Sequence, residues 1–266
     1  MDWLLIYVLI GIAVGFIAGM LGIGGGTTLV PLLVFVFTAA EFSNDKILHL
    51  ALGTTITSII FTSISSVKAH HSRGVVRWDI FRQVSPSLII GTLSGTFVAD
   101  FLNSRSLAIF FVAFVYITSI QLFFDSKNTV KRELPGIVGL CIAGFLIGAI
   151  SSLVGAGGGV LSIPLMVLCR VPIIQAVGTS AALGFPIAIA GSAGYFYHGI
   201  GEPLLPPLSL GYIYLPALIG ITIGTFFTVP IGARMAHKMP ASYLKKIFSI
   251  LLFFLATRMA WEFLTL

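Results

Sequence analysis

Charge is what this sequence has least of. Of 266 residues, 15 are Lys or Arg and 9 are Asp or Glu, 9% in all, against roughly 25% in a soluble domain. A water-soluble fold of this length needs more polar surface than that, so a soluble enzyme and a disordered chain are both excluded. Cysteine is scarce too. Cys141 and Cys169 lie in apolar stretches, which excludes a disulfide scaffold or cysteine metal cluster and suits small packed hydrophobes. No carboxylate sits deep in an apolar run, which argues against a carboxylate proton relay. No motif calls for a cofactor or a metal. What remains is apolar: 57% hydrophobic residues and a mean hydropathy of +1.07.

Charge-free apolar runs fall at about residues 3–21, 28–40, 47–67, 83–99, 106–124, 136–154, 160–169, 173–196, 210–232 and 247–264. All but the second and seventh approach the roughly 20 residues that a helix needs to cross the hydrocarbon. The pattern predicts an all-α polytopic membrane protein with about eight spanning helices and two short ones. The first run has no basic residue before it and no small-residue cleavage site after it, so it is expected to be a retained helix.

The net charge of +6 suits lysines and arginines gathered on one membrane face better than nucleic acid. Lys68, Arg73, Arg77 and Arg82 flank one link. Lys127, Lys131 and Arg132 occupy another, Arg170 a third, and Arg234, Lys238, Lys245 and Lys246 a fourth. With these links in the cytoplasm, twelve of the fifteen basic residues are inside, leaving Lys46, Arg105 and Arg258. Both termini then lie outside the cytoplasm.

The chain also repeats itself. Gly22-Ile23-Gly24-Gly25-Gly26, followed by Pro31, returns as Gly155-Ala156-Gly157-Gly158-Gly159, followed by Pro164. Gly53-Thr54-Thr55 returns as Gly178-Thr179-Ser180, and Gly91 and Gly95 return as Gly220 and Gly224. The repeats divide the chain at 1–133 and 134–266, together one transport domain. Equivalent links carry opposite charge: the basic link at Lys68 to Arg82 corresponds to 199–209, which has no Lys or Arg and contains Glu202. Opposite charge at equivalent links predicts inverted-topology repeats, whose shared site lies near the midplane in many secondary transporters.

In each half a long run ends at the glycines and a short one follows, as at the break of a re-entrant or discontinuous helix. Irregular backbone at that depth is tolerated only inside protein or around a water-filled cavity. Successive glycines permit positive φ and leave amides uncovered, and with the helix N-terminus behind them they form a nest suited to an anion. Gly24, Gly25, Gly26 and Thr27, with Gly157, Gly158 and Gly159, are therefore the candidate binding residues. Thr54, Thr55, Thr179 and Ser180 add hydroxyls on apolar helices. Such hydroxyls also commonly bond their own helix, and those of Thr57 and Ser58 share that alternative. His49, Gln175 and Arg258 are weaker candidates, each with an ordinary interface or snorkelling role as the competing reading. The glycine pairs spaced i, i+4 suit close helix packing.

On these paired glycine motifs and the Gly-Thr-Thr and Gly-Thr-Ser that follow them, the chain resembles the sulfite exporter TauE/SafE family, also called 4-toluene sulfonate uptake permeases. The likeness extends over nearly the whole chain in both halves. It implies a multi-pass plasma-membrane protein of about eight helices that moves small sulfur-containing anions of the sulfite, sulfonate or sulfoacetate type. The expected partners are that anion and the lipid bilayer; a homo-oligomer is left open. An anion channel built on the same loops is the alternative. A rhomboid-like serine protease would need a buried nucleophile and base, which the sequence does not offer, so no enzyme is expected.

Overall fold

The computed structural model describes residues 3–21, 25–124, 133–236 and 241–265. Its helices are α1 (Trp3–Leu21), α2 (Gly26–Ala39), α3 (Ile47–His71), α4 (Trp78–Phe101), α5 (Ser104–Phe124), α6 (Ile137–Leu153), α7 (Gly159–Leu168), α8 (Ile173–His198), α9 (Leu215–Ala236) and α10 (Ala241–Thr265). Each apolar run of the sequence becomes one helix. Among the described residues six of them, α1, α3, α4, α5, α8 and α9, are long and apolar enough to cross a membrane. With 17 residues α6 falls just short of that length, whereas α10 has 25.

Charge misleads about where the helices end. Lys68, Arg82, Arg234, Lys245 and Lys246, expected in links, lie within α3, α4, α9 and α10. Long basic side chains near a helix end carry their charge to the interface without breaking the helix. The run at 210–232 also begins later as a helix than expected. Ser209–Leu210 (β1) and Ile213–Tyr214 (β2) form a two-stranded antiparallel hairpin, and α9 begins only after it. Gly211, at φ +56°, is the first residue of the two-residue turn, where a left-handed conformation suits a tight hairpin.

The helices pair across the middle of the chain. The glycines of α1 and α9 face one another's backbone, so that a methyl group on Gly11 or Gly224 would meet Ile221 or Val8 and Ile12. The glycines of α4 and α6 do the same: Gly91 lies on the Phe145 carbonyl and Gly148 on the Leu88 carbonyl. The spaced glycines thus serve close packing, as their spacing predicts. At the centre α3 and α8 pack antiparallel, Gly53 against Tyr195 and Ile56 against Gly191, and are mostly buried, while α1, α4, α5 and α9 expose much of their length. The exposed surface is apolar, with Ile109, Phe226 and Phe254 all more than 60% accessible. An outer surface of that kind needs a bilayer around it.

The two short helices end alike. Glu41 and Arg170 adopt left-handed conformations, φ +59° and +62°, just after α2 and α7. The next amide in each case reaches back five residues, from Phe42 to Phe37 and from Val171 to Met166, at 3.0 Å. This is the Schellman cap, built here without the glycine that usually occupies it.

Candidate functional site

Both glycine loops open a short helix in the same way. Gly25 and Gly158 stand immediately before α2 and α7 at φ +63° and +79°, a region that side chains with a Cβ rarely enter. The first helical hydrogen bonds run from Thr28 to Gly25 and from Leu161 to Gly158, each 3.2 Å. The amides of Gly26 and Thr27, and of Gly159 and Val160, precede those bonds and mark the positive ends of the two helices. Gly24 lies outside the described residues.

The two loops touch. A methyl group on Gly26 would overlap the carbonyl oxygen of Gly155, and Gly155 itself faces Val30 of α2 and Leu52 and Thr55 of α3. Gly157 faces Ile59 of α3, and its carbonyl lies against Gly184 of α8. The central helix pair therefore brackets the meeting point. Beside it is a cavity of about 60 Å³ lined by Gly157, Gly159, Thr62, Ser63, Ser66 and Ser180, with apolar residues of α1, α3, α8 and α9 completing it. Every residue lining it is uncharged. The cavity extends toward the end of α3 that carries Lys68.

The hydroxyls divide by partner. Thr54 accepts the amide of Tyr214 at 2.9 Å, and Thr179 accepts the amide of Arg77 at the same distance. Gly53 and Gly178, one residue earlier, give that neighbouring backbone room: a methyl group on Gly53 would overlap the Tyr212 carbonyl, and one on Gly178 would meet Val75. The Gly-Thr pair in each half thus holds the segment leading into α9 or α4. Thr57, Ser58, Thr62 and Ser63 donate to carbonyls of their own helix. Ser180 accepts from Ser162 at 2.8 Å, which leaves its own proton available beside the cavity. Thr28, Thr55 and Ser151 are buried around the loops with hydroxyls that find no partner among the described residues.

The three weaker candidates lie elsewhere. His49 is buried in the first turn of α3, its Nε2 2.8 Å from the Ala99 carbonyl and its Nδ1 3.4 Å from Ser104 Oγ. Gln175 is half-buried in the first turn of α8. Arg258, on α10, lies 5.9 Å from the centre of the Phe35 ring, at the exposed flank of the bundle. Sequence reasoning passed over Thr62 and Ser66, which reach the cavity one and two turns beyond Ser58 on α3. The only signal available was their helical spacing from Thr55. Among the described residues no group of His, Cys, Asp or Glu is placed to hold a metal ion.

The sequence profile of a family described as sulfite exporter TauE/SafE matches residues 7–259. A probable membrane transporter protein of Haemophilus influenzae is 36% identical over 258 residues, spanning 97% of this chain and 98% of that one. The probable membrane transporter protein YunE of Bacillus subtilis is 27% identical over 97% of each chain. One from Methanocaldococcus jannaschii is 25% identical over 92% of this chain and 91% of its own. No solved structure matches the chain.

Proposed function

The chain belongs to the sulfite exporter TauE/SafE family and is a membrane transporter, not an enzyme, and from that premise we propose that it is a secondary carrier of a small sulfur-containing oxyanion held where its glycine loops meet. The observation that carries this reading is the abutment of the two loops, Gly26 on the carbonyl of Gly155, between α3 and α8 and beside an uncharged, hydroxyl-lined cavity. Helix-start amides and hydroxyls are neutral donors. They stabilise an anion through partial charges without the depth of well that a buried Lys or Arg would create, so the anion binds and still leaves. Sulfite, a sulfonate or a sulfoacetate-type ion offers the cluster of acceptor oxygens that such donors suit.

The two halves act as inverted repeats about this site, with alternating access arising from movement of the helices around it. The antiparallel run of α3 and α8 supports that arrangement, as does the exchange of equivalent contacts, Thr54 to Tyr214 and Thr179 to Arg77. The basic ends of α3 and α4 face the cytoplasm of a plasma-membrane protein whose termini lie outside. Purified protein in liposomes tests the reading: saturable uptake of labelled sulfite or sulfonate, with counterflow, is expected. Single-channel currents would replace the carrier by a pore, and stabilisation and transport of carboxylates alone would overturn the substrate.

A further inference from the structure

Opposite the cavity, at the other end of the central pair, five polar side chains from separate elements join hands. Lys46, just before α3, lies 3.1 Å from Glu202 of the loop between α8 and β1, and its ammonium donates to Tyr212 Oη at 3.0 Å. Tyr212, on the hairpin turn, donates to Asp100 Oδ1 of α4 at 3.2 Å. The other oxygen of Asp100 is 3.3 Å from His198 Nδ1 at the end of α8. Burial draws the Lys46 pKa down, but the hydrogen bonds to Tyr212 and Glu202 outweigh it and hold that pKa above its ordinary value.

This cluster is stacked over the second glycine loop. Tyr212 packs edge-on to Tyr195 at 6.4 Å, its carbonyl rests on Gly53, and Tyr195 is fully buried with its hydroxyl on the Ser152 carbonyl at 2.9 Å. Ser152 lies three residues before the second glycine loop. From the surface inward, then, the order is ion pair, tyrosine, tyrosine, loop. Toward the other end, past Ile59, lies the cavity lined by Thr62, Ser63, Ser66 and Ser180. Lys46 precedes α3 and Asp100 lies at the end of α4, whereas His198 ends α8 and Glu202 and Tyr212 follow it, so any opening between these elements at this end has to separate the cluster.

We propose that Lys46, Glu202, Tyr212, Asp100 and His198 form the latch that closes the outer end of the transport path, and that it must part each time the site faces outward. The inference rests on the alternating-access reading, not on the identity of the anion or the role of the glycines. A fixed surface ion pair would change stability alone. A latch changes how often a residue beneath it meets outside solvent.

Leu52, fully buried one residue before Gly53 and close to Gly155, is the reporter. In full-length protein with Cys141 and Cys169 changed to Ala, Leu52→Cys is labelled in right-side-out vesicles by a membrane-impermeant thiol reagent. Labelling is expected to be slow, and to quicken about fivefold with Lys46→Ala or Glu202→Gln, the shift expected from losing one part-exposed ion pair. Lys46→Arg is expected to restore the slow rate, and Lys68→Ala, at the opposite end, to leave it unchanged. Equal labelling rates in Lys46→Ala, Glu202→Gln and the parent would overturn the latch. So would full transport by Lys46→Cys/Glu202→Cys protein after bridging with a short bifunctional thiol reagent. Labelling needs no substrate, so a failure of the glycine loops to bind an anion leaves this result standing and is read separately from transport in the loop variants.

Discussion

Gly157→Ala separates a substrate role from a packing role. Gly157 lies outside the left-handed region that holds Gly155 and Gly158. A methyl group there would make ordinary contact with Ile59 at 3.4 Å. An alanine that fits its backbone stabilises a fold by about 0.4–1 kcal/mol through the unfolded chain, so the variant is expected to unfold at or slightly above the parent temperature. The same methyl group enters the cavity of about 60 Å³. It adds a carbon at the wall where Gly157 and Ile59 line that space, and so narrows it. Forcing an anion to share what is left costs about 1–3 kcal/mol by analogy with an overpacked core, a loss of about 5- to 150-fold in affinity. Initial uptake rates in liposomes across a range of sulfite or sulfonate concentrations, beside thermal unfolding in detergent, read both quantities. Gly158→Ala is the contrast: at φ +79°, with Ile187 Cδ1 2.6 Å from the added carbon, it loses about 1–2 kcal/mol of stability to backbone strain alone. A folded Gly157→Ala protein with unchanged KM and maximal rate would remove the anion from this cavity.

Four further outcomes follow from the same contacts. Tyr195→Phe deprives the Ser152 carbonyl of its donor inside a fully buried site and is expected to lower stability by about 1–3 kcal/mol in thermal unfolding. Gly53→Ala is expected to be more damaging than Gly178→Ala, because the first meets the Tyr212 backbone and the second meets first a Val75 side-chain methyl at 2.9 Å; the order of unfolding temperatures checks it. Thr54→Val strands the Tyr214 amide and is expected to lower stability by about 1–3 kcal/mol while leaving KM near the parent value. Because the Lys46 pKa is raised, its contribution to stability is present in full below the ordinary lysine value and lost as pH rises through the higher folded value. Alkaline unfolding of Lys46→Met is therefore expected to lack that step.

Much of this architecture was legible because hydropathy is a local property. A run of apolar residues long enough for the bilayer becomes a helix whatever it packs against, so α1 to α10 follow the runs closely. The glycine loops were legible for a related reason: consecutive glycines ahead of Pro31 and Pro164 have few uses besides an irregular break. What the sequence hides is contact between distant segments. Thr54 and Thr179 look like substrate hydroxyls, and nothing near them in sequence shows that each also accepts an amide, from Tyr214 and from Arg77. Lys46 and Glu202 are two ordinary loop charges until the chain brings them to 3.1 Å. The hairpin at 209–214 was concealed because its Leu, Tyr and Ile residues serve a strand as readily as a helix.

The exchanged contacts also set the order in which the protein can be made. A newly inserted α1 exposes the glycines that will lie against α9, and that partner is complete only when Ala236 has left the ribosome. Thr54 waits nearly as long for Tyr214, and α4 waits for α6. A chain that stops before α9 therefore leaves the glycine face of α1 without the partner it is shaped for.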